Sequence, residues 1–325
     1  MYERTQMRAF VKDRYGSPDV LRLEEVERPT PADEGVLVRV RATALNAHDW
    51  HMLRGKPYLA RLSEGFRAPK ERQLGLDVAG VVEEVGANVT HVKPGDEVFG
   101  SRYGAFAEYV SGKNMVPMPA GLTFEQAAAI PTAGQTALQG LRDHGALQAG
   151  QRVLIVGAGG GVGTFAVQIA GALGAEVTAV TATKSLDTVR SIGAAHAIDY
   201  TRDDFTRGKQ RYDLILDIGG TRRLSAMRRM LTPTGLVVMI APQPGQWIGP
   251  IARILGAAVT NRLGARPART FLAQVNRDDL LALKHLVEAG AVTPVIDRTY
   301  PFDRIPEAIG YLESGAATGK VVITV

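Results

Sequence analysis

The stretch Val153–Gly163, VLIVGAGGGVG, carries four apolar residues straight into a glycine-rich turn, an order of residue types suited to holding a phosphate. Val153, Leu154, Ile155 and Val156 fit a buried parallel strand, and the following TFAVQIAGALG has the apolar spacing of a helix. Gly157, Gly160 and Gly163 fall three apart. Glycine at such positions permits a tight turn, lets the backbone approach a pyrophosphate and lets the helix pack closely on the sheet. The backbone amides of Gly160, Gly161, Val162 and Gly163 then face an anion at a helix N-terminus. The pattern is G-x-x-G-x-x-G rather than the stricter G-x-G-x-x-G, because Val162 holds the sixth position from Gly157. Taken alone it equally fits an ordinary strand-to-helix turn.

The surroundings narrow the choice. A second apolar strand, Glu176 to Val180, follows at the distance where a dinucleotide-binding unit reads the adenosine ribose. An acidic residue at its end would accept hydrogen bonds from the ribose diol of NAD, but the chain reads Thr181-Ala182-Thr183-Lys184. The hydroxyls of Thr181 and Thr183 and the Lys184 cation suit a 2′-phosphate better, so NADPH is expected in preference to NADH. The plainer alternative for Lys184 is a solvated lysine at a helix start.

These residues need a scaffold, and 325 residues with 45% hydrophobic and 22% charged content provide for two domains, each with its own core. Cysteine is absent, which excludes disulfides, thiolate catalysis and cysteine-ligated zinc. The opening MYERTQMRAF carries charges where a leader would need an apolar run, and no stretch reaches the ~18 uncharged apolar residues of a spanning helix. A cytoplasmic protein without stable membrane insertion is therefore expected. The net charge of +5 is spread along the chain. Arg222, Arg223, Arg228 and Arg229 fit the solvated side of a helix whose apolar side is Leu224, Met227 and Leu231. No basic face with interleaved aromatics is visible, so no nucleic-acid partner is expected.

Residues 1 to about 120 read as β-rich, with MRAFVKD, VLRLEEV, GVLVRVRATALN, VAGVVEEVGANVT and DEVFG between glycine and proline punctuation. From Thr123 the chain turns helical, and then VLIVG, EVTAV, HAIDY, YDLILDIGG and GLVVMIA alternate with helices, as a parallel sheet with crossover helices requires. NRDDLLALKHLVEAG follows as an amphipathic helix, and the tail from Val292 is strand, turn, helix and strand. The fold class expected is α/β, with a Rossmann doubly wound parallel sheet over residues 123–290. It is inserted into a β-rich domain of residues 1–122 that residues 291–325 complete. Gly219, after Asp217, and Ala241, after the next strand, stand at the carboxyl edge of the sheet where such cofactors lie.

Several segments together resemble the medium-chain dehydrogenase/reductase superfamily, in its zinc-independent branch of quinone oxidoreductase-like enzymes. They are GLDVAGVVEEVGANVTHVKPGDEVFG, GAFAEYV, AAAIPTAGQTALQGL, the glycine turn, and the tail from PVIDRTY to GKVVITV, in the family's order along nearly the whole chain. The resemblance implies a GroES-like catalytic domain around the Rossmann unit, and a homodimer. Zinc-dependent members bind catalytic zinc through a cysteine and a Gly-His-Glu motif; here those places read Asn46 and Gly75-Leu76-Asp77. Leucine is no ligand, and the cysteines of the structural zinc lobe are missing between Phe99 and Tyr109, so no zinc is expected. A site assembled from His48, His51 and Asp49 or Asp77 is the weak alternative.

Without zinc to hold an alkoxide, oxidation of simple alcohols is hard. The resemblance implies reduction of a small molecule, a quinone or α,β-unsaturated carbonyl, whose developing anion hydrogen-bond donors can stabilise. Asn46 and Asp49 match the family's Asn-x-x-Asp pair in the loop facing the nicotinamide, with the Asn46 amide as holder of the substrate oxygen. Their bland alternative is loop stabilisation. His51 falls where some relatives carry tyrosine, and an imidazole with a pKa near ~6.5 can relay a proton. Tyr103 fits the rim of the pocket. Thr132 and Thr136 lie in the segment that the resemblance places near the nicotinamide and its phosphates. The stretch from Gln243 to Arg269 mixes Trp247, Ile248 and Ile251 with arginines and reads as a lid over the cofactor, with a substrate wall, a subunit contact or membrane-surface association as the alternatives. The competing functions are reduction of simple aldehydes or ketones, as in alcohol dehydrogenase activity, and a non-catalytic NADPH sensor that kept the fold.

Overall fold

Apolar runs that alternate with helices give, in the computed structural model, a six-stranded sheet whose neighbours are all parallel. The structure describes residues 5–56, 58, 61–220, 222–240 and 266–325, so Ala241 and most of the stretch read as a lid lie outside the described residues.

In chain order the elements are β1 (Gln6–Val11), β2 (Arg22–Glu27), β3 (Val36–Ala44), α1 (Ala47–Arg54), α2 (Arg61–Glu64) and β4 (Asp77–Val85). Next come β5 (Glu97–Ser101), β6 (Tyr109–Gly112), β7 (Met115–Pro117), α3 (Phe124–Ala128), α4 (Pro131–Leu138) and β8 (Arg152–Val156). Then follow α5 (Gly161–Ala172), β9 (Glu176–Thr181), α6 (Leu186–Ser191), β10 (His196–Asp199), β11 (Tyr212–Asp217), α7 (Leu224–Arg229) and β12 (Leu231–Met239). The last are β13 (Ala268–Thr270), α8 (Arg277–Glu288), β14 (Ile296–Pro301), α9 (Ile305–Glu313) and β15 (Lys320–Thr324).

The parallel sheet runs β10-β9-β8-β11-β12-β13, so strand order reverses at β8, the geometry that leaves a ligand crevice at the carboxyl ends of β8 and β11. Val153, Leu154 and Ile155 are fully buried, as a strand covered on both faces demands. The core beside them is Val180, Tyr212, Ile215, Met227, Val237 and Met239. Leu231 opens β12 rather than closing the arginine-bearing helix, because Met230 already caps that helix.

The second unit is a seven-stranded sheet, β14-β15-β3-β4-β5-β7 with β6 also on β3, beside the β1-β2 ribbon. Its core gathers Phe10, Leu45, Leu53, Leu74, Phe106, Ile305 and Ile323, each such burial contributing about 1.5–3 kcal/mol. The tail closes this sheet, with β15 antiparallel to β3.

The chain divides into Met1–Thr132 with Val275–Glu288 and Pro294–Val325, and Ala133–Gln274 with Ala289–Thr293. These bounds differ from 1–122 and 123–290. Helix α3 packs on β3 and β4, and α8 packs on β7, so both helices go with the β-rich unit. Residues 289–293 stay with the parallel sheet, where Thr293 and Gln168 exchange hydrogen bonds of 2.8 and 3.0 Å.

Candidate active site

At the glycine turn the backbone leaves β8 with Gly157 at φ +91°, a conformation costly for any residue with a Cβ. The amides of Gly157 and Ala158 both donate to Val180 O, and those of Ile218 and Gly219 to Val156 O, which ties the turn to both neighbouring strand ends. Space explains the other glycines differently. A Cβ on Gly163 would lie 2.2 Å from Gly157 O, and one on Gly159 would lie 2.4 Å from Thr181 Oγ1. A Cβ on Gly160 would meet nothing closer than Gly157 O at 3.6 Å. Gly160, the N-cap of α5, has φ −84°, which any residue adopts. Neither packing nor backbone requires glycine at Gly160, whose exposed backbone leaves space for a ligand to approach. The residues present thus fit a dinucleotide pyrophosphate, with Gly161 and Val162 opening the helix behind it. Gly219 is exposed at the end of β11, across the switch point from Gly157, while Asp217 is buried and accepts the Gly220 amide at 2.9 Å.

Past β9 the structure separates the three residues read as a phosphate site. Thr181 is buried with its hydroxyl beneath Gly159. Thr183 is exposed, but its hydroxyl donates to Asp199 at the end of β10 (2.5 Å), and Thr201 donates to the same carboxylate from its amide (2.9 Å) and hydroxyl (2.6 Å). These donors hold the Asp199 carboxyl below its ordinary pKa, Thr183 foremost. Lys184 is exposed at the same edge. Asp199 went unread in the sequence because it follows β10, sixteen residues beyond Thr183, and only parallel pairing brings the two strand ends together.

In the β-rich unit, Asn46 ends the loop after β3 and is the N-cap of α1. Its amide nitrogen Nδ2 points at Asp77 Oδ2 (3.0 Å) and Ala44 O (3.4 Å), and its Oδ1 accepts from Lys320 Nζ at 2.7 Å. Its polar atoms are thus engaged within the protein, beside the substrate role read from the sequence. Asp77 is fully buried at the start of β4 and takes four further or shared bonds: from Asn46, from Lys320 Nζ (3.1 Å), and from the amide (2.8 Å) and hydroxyl of Thr132. Thr132 therefore serves Asp77, while Thr136 is buried one turn along α4 and belongs to the other unit. Lys320 and the network role of Asp77 carried no signal in the chain: a lysine next to a terminal strand reads as solvated.

Asp49 accepts the Asn46 amide at 2.7 Å through Oδ2, and its Oδ1 is buried without a hydrogen-bond partner among the described residues. Burial foremost, with Asp77 adding repulsion, raises its carboxyl to a pKa of about 7. A raised carboxyl binds its proton more tightly folded than unfolded, so stability falls as pH rises from about 4 toward 7. Asp49→Asn, which keeps an acceptor for Asn46, is expected to flatten that slope. Urea melts at both ends of this window measure it, and an unchanged slope would exclude Asp49 as its source.

His51 lies on α1 with its ring stacked on Trp50, centroids 3.6 Å apart. Its Nδ1 is buried without a partner among the described residues, and burial lowers its pKa, against the opposing Lys56 backbone. The imidazole is accordingly neutral at neutral pH. Lys12, absent from the sequence reading, lies buried at the end of β1 and donates to Met52 O at 2.7 Å. Burial lowers its pKa to about 8. Its ammonium sits on the last turn of α1, where a cation suits the helix C-terminus. Tyr103 meets His48 edge-on, ring centroids 6.2 Å apart.

Zinc does not fit this cluster. Leu76 and Asn46 stand where ligands would be needed, and the Lys320 ammonium lies within hydrogen-bond distance of both Asn46 and Asp77. Among the described residues no three His, Cys, Asp or Glu side chains gather as a metal site.

Comparison with known proteins places both halves of the chain. Residues 192–323 match the family described as zinc-binding dehydrogenase, and residues 32–120 match the alcohol dehydrogenase GroES-like domain. The chain is 34% identical to the 2-methylene-furan-3-one reductase of Solanum lycopersicum, covering 98% of this chain and 79% of that one. It is 33% identical to the chloroplastic NADPH-dependent alkenal/one oxidoreductase of Arabidopsis thaliana, with the same coverage. The Escherichia coli quinone oxidoreductase solved with NADPH superposes with a TM-score of 0.85 at 25% identity, covering 98% of this chain and all of that one. Among the described residues no helix is long and apolar enough to cross a membrane.

Proposed function

Because the chain belongs to the medium-chain dehydrogenase/reductase superfamily, in its quinone oxidoreductase-like branch, we propose that it is an NADPH-dependent reductase of quinones or α,β-unsaturated carbonyls that works without zinc. The observation that carries this is Gly160: a glycine that its own fold does not need, at a helix N-terminus on the carboxyl edge of a doubly wound sheet. The names of the two relatives point to conjugated carbonyl acceptors, and the family's solved NADPH complex points to the phosphorylated dinucleotide.

When bound, the dinucleotide supplies a hydride from its nicotinamide. The amides at Gly160 to Gly163 hold the pyrophosphate, Gly157 and Gly219 leave room beside it, and Lys184 takes the 2′-phosphate. Ala241 is retained in this cofactor set from the sequence alone. In the β-rich unit Asn46 and Asp49 hold the start of α1, beside the substrate oxygen. His51, as a neutral imidazole, donates a hydrogen bond to that oxygen as negative charge develops, and the proton that completes the reduction comes from water. Hydride plus proton completes a two-electron reduction, to a hydroquinone or to the enol of a saturated carbonyl.

NADPH oxidation against quinones, enones and simple aldehydes, with and without chelator, tests the proposal. Turnover on the first two classes that survives chelation is expected. Loss on chelation would overturn the metal-free part, preference for aldehydes would favour an alcohol dehydrogenase activity, and tight NADPH binding without turnover would favour a sensor. Lys184→Ala is expected to weaken NADPH about tenfold or more while leaving NADH nearly unchanged, since only the former carries the phosphate. Equal loss for both in parallel titrations would remove Lys184 from the phosphate site. A homodimer and a cytoplasmic location belong to the same proposal. Sedimentation equilibrium and cell fractionation test them.

A further inference from the structure

We infer that Lys320 is a positioning residue of this site: its buried ammonium serves as a built-in cation where a metal would otherwise hold the loop after β3, and it fixes Asn46 and through it the helix that bears His51. Lys320 is 2% exposed, and its Nζ lies 2.7 Å from Asn46 Oδ1 and 3.1 Å from Asp77 Oδ2. A buried ammonium is tolerated only when paired and hydrogen-bonded, and Asp77, fully buried, supplies the counter-charge. Each atom's chemistry constrains the next. An ammonium only donates, so the carboxamide atom facing it is oxygen; a carboxylate only accepts, so the atom facing Asp77 is the NH2 group. Lys320 and Asp77 together leave the Asn46 amide one orientation.

The backbone prepares this aim. Gly319 takes φ +85°, where a Cβ would lie 2.4 Å from Val295 O, and the Lys320 amide donates to the same carbonyl at 2.8 Å. The side chain therefore enters the cluster from the first residue of β15. Asn46, held by it, is the N-cap of α1, and His51 follows within the same eight-residue helix. A divalent cation entering this space would face the ammonium at hydrogen-bond range, and no three His, Cys, Asp or Glu side chains gather there among the described residues to compensate.

The kinetic part of the test rests on the reductase reading above; the binding and stability parts do not. Four variants separate the roles: Lys320→Met, Lys320→Arg, Asp77→Asn, and Lys320→Met with Asp77→Asn, which removes both charges and so avoids an unpaired one. A helix displaced by an ångström costs on the order of 100-fold in rate, so the double variant is expected to lose about that in kcat while its KM for NADPH stays within about twofold. Lys320→Arg, which restores a cation, is expected to recover at least about tenfold of the rate. A double variant that melts like wild type and retains wild-type kcat overturns the proposal. If wild-type protein reduces no acceptor, the reductase reading fails, and two further measurements still decide the role of Lys320. Calorimetric titration with zinc is expected to show no binding to wild type, and stoichiometric uptake overturns the built-in cation. Melting of Asn46→Ala, Lys320→Met and their combination is expected to be less than additive, and strict additivity overturns the coupling.

Discussion

Gly160→Glu is expected to lower NADPH affinity by at least about 100-fold while the protein melts within about 3 °C of wild type. The fold has room for the new side chain, because the nearest atom to a Cβ is 3.6 Å away and φ −84° is ordinary for any residue. A pyrophosphate held there as proposed would meet that side chain. The glutamate also places a carboxylate at the positive end of α5, where it competes with the phosphate for the same amides. Gly163→Ala is the matched control, since its Cβ would lie 2.2 Å from Gly157 O and overpacking there costs on the order of 3 kcal/mol. Both variants lose the cofactor, and only the second also loses stability. Fluorescence titration with NADPH beside thermal melting reads the contrast, and wild-type affinity in Gly160→Glu would move the pyrophosphate elsewhere.

Asp77→Ala is expected to lower the melting temperature by on the order of 10 °C, because removing one partner of a buried ion pair costs about 3–5 kcal/mol. The Lys320 ammonium, 2% exposed, loses the carboxylate it hydrogen-bonds, and the donors of Asn46 and Thr132 lose their acceptor together. Exposed pairs such as Arg8 with Glu108 provide the comparison: their loss is expected to cost less than about 1 kcal/mol. Calorimetric melting of Asp77→Ala beside Glu108→Ala distinguishes the two, and equal small shifts would mean that Asp77 is solvated.

Much of the fold was legible along the chain because strands and crossover helices differ in apolar period. VLIVG, EVTAV and YDLILD became β8, β9 and β11 near their expected places, and the tail joined the β-rich sheet. Domain bounds were less legible. The run read as the start of the Rossmann unit includes α3, whose period gives a helix but does not name the sheet beneath it. The glycine turn was also readable, yet its glycines looked alike. Gly159 and Gly163 answer to packing and Gly157 to backbone geometry, while a Cβ on Gly160 would meet only Gly157 O at 3.6 Å.

Side-chain partners were the least legible. From the sequence Asn46 reads as a substrate donor and Thr183 as a phosphate donor, both polar residues at strand ends. Their hydrogens go to Asp77 and Asp199, which no spacing rule connects to them.

Composition and residue order were enough to exclude cysteine chemistry, to lay out a parallel sheet with a phosphate turn, and to leave leucine where a zinc ligand would stand. They suffice because such properties depend on residue type and on neighbours within a few positions. The cluster of Asn46, Asp77, Thr132 and Lys320 depends on something else. Lys320 and Asn46 are 274 residues apart, and they meet only because β15 pairs with β3 in a register that sets one ammonium against one carboxamide.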